Sequence, residues 1–131
     1  MSYLLDTDIC SHHLKRDYAL AHRFNQSGGR LYLSTVSLAE LHVWGYRRNS
    51  AKHRILIAEL VGSLHVLAFD EACAEMFGRI KGSLSRRGIV IPPVDLMIAA
   101  TARVHGLTLV THNTADFARV PELEVEDWLA P

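Results

Sequence analysis

The chain alternates short apolar runs with longer stretches in which apolar residues recur every third or fourth position. Residues 3–5 read as a short buried strand and residues 31–33, 65–67 and 108–110 as further strands, and a last one is expected near 123–125, just before Trp128. The polar, His-rich stretch after the first strand predicts a helical hairpin ending near Gln26, where Ser27-Gly28-Gly29 breaks the pattern. A helix is predicted over 37–47 with Leu38, Leu41 and Trp44 on its inner side, and another over 51–63. Asp70 opens a long helix with Ala72, Met76, Ile80 and Leu84 along one stripe, closed by the basic turn Arg86-Arg87 and then Gly88. Pro92-Pro93 interrupts the chain, and a further helix runs over 95–105 until Gly106. Strands that alternate with helices at this spacing imply an α/β fold, a parallel sheet covered by helices on both faces.

With 131 residues, the chain is expected to form a single domain able to bury a self-sufficient core. Its 14 basic and 14 acidic residues cancel, so any polyanionic partner must be held by local patches and not by net charge. Two cysteines, Cys10 and Cys73, are too few for a disulfide framework and are expected as reduced, partly buried thiols, which points to the cytoplasm. Neither a secretion signal nor an apolar run long enough for a membrane span is evident, so no membrane association is expected.

The topology gives the acidic residues their interest. In a parallel α/β sheet ligands bind at the carboxyl ends of the strands, where loops and helix N-termini converge. Asp6 directly follows the first strand, Glu40 lies early in the helix after the second, and Asp116 follows the fourth. Asp95 opens a helix that runs antiparallel to the strand after it, which returns it to the same edge. Capping is the plainer explanation for Glu40 (in Ser-Leu-Ala-Glu), Asp95 and Asp116; Asp6 fits it worst, because Thr7 or Asp8 is better placed to cap the next helix. Four converging carboxylates would resist ionising together unless a cation compensated them. An all-oxygen donor set favours Mg²⁺ or Mn²⁺, and such a site suits phosphodiester hydrolysis.

The segments LLDTDIC, STVSLAEL and VDLMIAATARVHGLTLVTHNTADFARVPELEVEDW resemble the motifs of PIN-domain ribonucleases, specifically VapC-type toxins of toxin–antitoxin pairs, over nearly the whole chain. The resemblance implies a three-layer α/β/α PIN-like fold with a short parallel sheet, and Mg²⁺- or Mn²⁺-dependent endoribonuclease activity. It also implies a homodimer and inhibition by a VapB-type antitoxin laid across the site. The family's acidic quartet falls on Asp6, Glu40, Asp95 and Asp116, with Thr111 and Asn113 in support. Asp6 and Asp95 are expected to hold the principal metal, Glu40 and Asp116 acting directly or through water. Asp8 stands where the family often has Asn and is expected to cap the first helix; His112 also departs from the common pattern and is a candidate phosphate contact.

RNA contacts would come from Arg47, Arg48, Lys52 and Arg54, or from Lys81, Arg86 and Arg87, although runs of this kind are commonly solvated faces. His12 and His13 are expected at the surface or in caps, and Trp44 and Met76 in packing. Two other readings stay open. In a haloacid-dehalogenase-like phosphatase Asp6 would be the nucleophile, but Cys10 stands where that family expects Thr or Val, and a trapped aspartyl-phosphate would be required. In a non-catalytic binding module the acids would only cap helices, and neither Mg²⁺ nor Asp95 would matter.

Overall fold

The computed structural model describes residues 1–15 and 18–130, residues 18 and 19 by their backbone. The elements run β1 (Tyr3–Leu5), α1 (Thr7–Leu14), α2 (Tyr18–Gln26), β2 (Leu31–Ser34), α3 (Thr35–Arg47), α4 (Ala51–Gly62), β3 (His65–Leu67), α5 (Glu71–Arg86), α6 (Pro93–His105), β4 (Thr108–Val110), α7 (Thr114–Phe117) and β5 (Val125–Glu126). The turn of the expected helical hairpin, residues 16 and 17, lies outside the described residues.

The strands form one sheet in the order β3-β2-β1-β4-β5, with every pairing parallel. Successive side chains of a strand face opposite sides of a sheet, and the two cores follow from that alternation. Leu4 and Leu109 enter one core with Ile80 and Leu84 of α5, Leu96 and Ile98 of α6 and Phe117 of α7. Leu5, Leu33 and Val110 enter the other with Ile9, Leu20, Leu41, Ile57 and Trp128. Helices therefore cover both faces of the sheet, in the three-layer arrangement expected of the sequence. Among the described residues no helix is long and apolar enough to cross a membrane.

Several local expectations need correction. The helix after β2 starts at Thr35, where the Ser34 hydroxyl accepts from Val36 N, so Ser37 is not its cap and Glu40 stands in the second turn. The inner stripe of α5 runs through buried Cys73, Ile80 and Leu84, and Ala72 is exposed. The Asp70 carboxylate accepts from Cys73 N and thereby fixes where that helix begins, which turns position 73 inward. The last strand sits two residues later than expected: Glu122 adopts φ 60 in the preceding turn, so Leu123 still belongs to the approach and pairing begins at Val125. The segment after Asn113 forms the short helix α7. His13, in the last turn of α1, is half-buried and not fully at the surface: it stacks on Phe24 with ring centroids 3.9 Å apart, and burial holds its imidazole below the usual range.

Candidate active site at the carboxyl edge of the sheet

Asp6 is the pivot of the site. It is the last extended residue before α1, with φ −73 and ψ 160, so its own side chain folds over the first turn and Oδ1 accepts from Thr7 N at 2.8 Å. Asp8, expected as the cap, stands instead inside the first turn of α1. The parallel pairing of β1 with β4 aligns Leu5 with Val110, and Asp6 N donates to Val110 O at 2.8 Å. The next residue of the β4 side is Thr111, whose buried hydroxyl donates to Asp6 Oδ2 at 2.7 Å.

A relay of hydrogen bonds runs outward from that contact. Asn113 N donates to Thr111 Oγ1 at 3.0 Å, and Asn113 Nδ2 donates to Asp116 Oδ2 at 3.3 Å. The residues expected to support the acids thus connect two of them, Asp6 and Asp116. Asp116 also faces Arg119, with Nη1 3.5 Å from Oδ1. On the other side, Thr7 Oγ1 donates to Glu40 Oε1 at 2.5 Å and draws the acid of α3 toward the start of α1. Asp95 enters from the first turn of α6, whose initial residue is Pro93. No side-chain capping bond forms at that terminus, so the capping explanation fails for Asp95.

Electrostatics ties these carboxylates together. Burial, and then the charge of Asp8, pushes the Asp6 carboxyl up to about 7; Asp95 adds to the rise, while the bonds from Thr111 and Thr7 oppose it. Asp6 is only 6% exposed, which explains why desolvation leads. Asp95 is also raised, by burial first and then by the charges of Glu40, Asp116 and Asp8. Asp95 therefore feels both flanks of the rim.

Asp8 contributes more than a helix terminus. Its Oδ2 accepts from His112 N at 3.2 Å, whereas its Oδ1 is buried without a hydrogen-bond partner. A buried, unpartnered carboxylate oxygen beside other carboxylates is costly in isolation and suits a cation. The donor set consists of oxygen atoms, as hard divalent cations require. Even so, among the described residues no three His, Cys, Asp or Glu side chains are gathered tightly enough to hold a metal ion as they stand. The acids form an electrostatic cluster and not a closed cage.

The basic candidates divide. Arg47 and Arg48 line a surface hollow of about 480 Å³ together with Glu40, Val43 and Trp44. Arg86 and Arg87 end α5 in exposed positions, and no hydrogen bond or ion pair joins them to the acids. His112 is exposed at the rim, its Nδ1 3.0 Å from Asp127 Oδ2. Sequence reasoning missed Thr7, Arg119 and Asp127. Thr7 had a signal, a hydroxyl set between two acids, whereas Asp127 reaches His112 only because β5 pairs with β4.

Comparison with known proteins agrees with this architecture. The family profile described as "PIN domain" matches residues 3–123. The chain is 39% identical to the tRNA(fMet)-specific endonuclease VapC of Shigella flexneri, with 98% of each chain covered. It is 35% identical to Ribonuclease VapC2 of Haemophilus influenzae (strain ATCC 51907 / DSM 11121 / KW20 / Rd), covering 98% of this chain and 99% of that one. A crystal structure of DNA-bound VapBC from Salmonella typhimurium superposes with a TM-score of 0.90 at 32% identity, covering 98% of both chains. A match over nearly the whole length, in sequence and in fold, leaves one assignment: the chain belongs to the PIN-domain family, on its VapC ribonuclease branch.

Proposed function

We propose that this protein is a divalent-metal-dependent endoribonuclease, the toxin of a toxin–antitoxin pair, and that its 131 residues form one domain. The observation that carries the reading is the mutual charge coupling of Asp6, Asp8, Asp95, Glu40 and Asp116 at one sheet edge, with Asp6 raised to about 7. PIN-domain ribonucleases are in general divalent-metal dependent. Asp6, Asp95, Asp116 and Glu40 would hold Mg²⁺ or Mn²⁺, and Asp8 offers its unpartnered oxygen as a further donor. When bound, such a cation lowers the pKa of a water and stabilises charge at the phosphate.

The chain's own residues do the positioning. Thr111 holds Asp6 in one orientation, Asn113 holds Asp116, and Thr7 holds Glu40, so three acids arrive already aimed. His112, kept in place by Asp127 and by its backbone bond to Asp8, is a candidate contact for a phosphate oxygen. No protein nucleophile is needed, and the match to the PIN domain over residues 3–123 leaves the phosphatase reading without support.

Partners follow from the relatives. The Salmonella neighbour is a VapBC assembly, so a VapB-type antitoxin is the proposed inhibitor, and a homodimer of this chain is proposed beside it. The buried, unbridged thiols Cys10 and Cys73 support residence in the reducing cytoplasm. Because the Shigella relative is named as specific for tRNA(fMet), initiator tRNA is the first substrate to try.

The deciding experiment is cleavage of a defined RNA pool that includes initiator tRNA, with and without Mg²⁺ or Mn²⁺, by the parent and by Asp95→Asn. Cleavage by the parent should require the cation, and the variant should lose at least about a hundredfold. Equal cleavage by the two proteins, or cleavage that survives chelation, would overturn the assignment.

A further inference from the structure

Arg119 stands on the rim of the acidic cluster without a part in aiming any of its acids. Among the described residues it is the one cation that an ion pair joins to a member of the quartet. Arg23, Arg79 and Arg103 pair instead with Glu126, Glu75 and Glu122, and His112 pairs with Asp127. The sequence puts Arg119 there through the short turn that ends α7. Phe117 and Val120 are buried in the core with α5 and α6, and the two residues between them face outward. Arg119 N donates to Asp116 O and Val120 N to Phe117 O, each at 3.1 Å. The backbone is therefore pinned on both sides of a long side chain that projects toward solvent.

The contact itself is loose. Nη1 lies 3.5 Å from Asp116 Oδ1, beyond the roughly 2.7–2.9 Å of a charge-assisted hydrogen bond, whereas Arg103 reaches Glu122 at 2.6 Å. Arg119 is 43% exposed and Asp116 32%, so solvent screens their attraction. Asp116 is oriented from its other side: Asn113 Nδ2 donates to Oδ2, and Asn113 N donates to the Thr111 hydroxyl that meets Asp6. Its charge also reaches Asp95, whose carboxyl it helps to raise.

Asp116 thus has two competing uses for one charge. A divalent cation held by this carboxylate repels a guanidinium resting on it. A guanidinium so displaced suits phosphate above other groups, because its planar fork matches two oxygens at once. We propose that Arg119 is a movable phosphate clamp, which leaves Asp116 when that acid is claimed by a divalent cation and turns to the phosphate to be cut. The clamp rests on the nuclease reading, and it makes the grip on RNA depend on cation loading through a single side chain.

The test uses the full chain. Mn²⁺ affinity is read from the magnetic-resonance signal of the free ion, and RNA affinity is read in Ca²⁺ with the strands checked for integrity afterwards. The RNA is a short single-stranded oligoribonucleotide in which an uncharged methylphosphonate replaces each phosphate in turn. Arg119→Gln should bind Mn²⁺ about threefold more tightly, since a competing cation has gone. It should nonetheless bind RNA about tenfold more weakly in Ca²⁺, a loss that shrinks to about twofold or less in chelator. Methylphosphonate should weaken the parent most at one position, and there the variant should lose markedly less. Arg119→Lys, which keeps the charge without the fork, should fall between the two. A residue that only supports the fold would weaken both ligands together and lower the melting temperature. Mn²⁺ affinity that does not rise, unaltered RNA affinity, or equal methylphosphonate penalties in parent and Arg119→Gln would overturn the clamp. A parent that binds no Mn²⁺ would overturn the nuclease reading and the clamp with it, whereas a parent that binds Mn²⁺ and RNA beside an indifferent variant overturns the clamp alone.

Discussion

Asp6 combines two roles that pull its chemistry in opposite directions. Its carboxylate caps α1 and accepts from Thr111, which favours the charged form, yet burial and the neighbouring acids push it up to about 7. An unfolded Asp ionises near 3.8, so between that value and about 7 the folded, metal-free protein keeps a proton that the unfolded chain has released. Stability of the metal-free protein is then fullest at the acidic end of this window and falls as pH rises through it. Asp6→Asn cannot ionise but can still cap the helix. Thermal melts in chelator should show the variant overtaking the parent by a few kcal/mol as pH rises from 4 to 8, a gap that added Mg²⁺ closes by stabilising the parent. A pH-independent difference would show that Asp6 does not carry this strain. The acid itself was legible in the sequence because it follows an apolar run at a sheet edge. Its role as cap was not, since Asp6, Thr7 and Asp8 are all good capping types and only the backbone angle at the end of β1 decides among them.

At the scale of elements, the strands were legible from their apolar runs, in the buried β4 and in the largely exposed β3 alike. Residues 3–5, 65–67 and 108–110 match β1, β3 and β4, and β2 extends one residue beyond its apolar run. The edge strand β5 was placed early because its two residues are set by pairing with β4, and Leu123 packs against the core without being part of it. Helix α5 gives the same lesson in a testable form. Periodicity put Ala72 first on the inner stripe, and the structure buries Cys73 there instead, beside the cap at Asp70. Ala72→Lys should therefore change unfolding free energy by less than about 0.5 kcal/mol. Ile80→Ala, one of the buried stripe, should cost about 2–4 kcal/mol in denaturant melts. A large loss at Ala72 would mean that α5 is rotated from the position described.

For the molecule as a whole, neutrality matters as much as the cluster. Acidic and basic residues balance, and the site itself is acidic, so RNA must be gripped by the few cations beside it. If two or three of Arg47, Arg48 and Arg54 contact phosphates, the logarithm of single-strand affinity should fall against that of salt with a slope of about −2. A slope several times steeper would point to a far wider cationic footprint, including Arg86 and Arg87. The proximity of Asp6, Glu40, Asp95 and Asp116 was legible in the sequence because parallel topology sends each of four separate acids to one edge. Arg47 and Arg48 were legible as part of a basic run, but the hollow they line with Glu40, Val43 and Trp44 was not, because its walls are set by how those side chains pack on α3.

The sharing of the Asp6 carboxylate between helix start and rim has an evolutionary corollary. Aspartate and asparagine codons differ by one nucleotide, and the amide preserves the turn that the acid makes. If Asp6 holds the metal as proposed, one nucleotide therefore separates the parent from an inactive descendant that keeps the same fold, whereas alanine at the same place would discard the shape along with the chemistry.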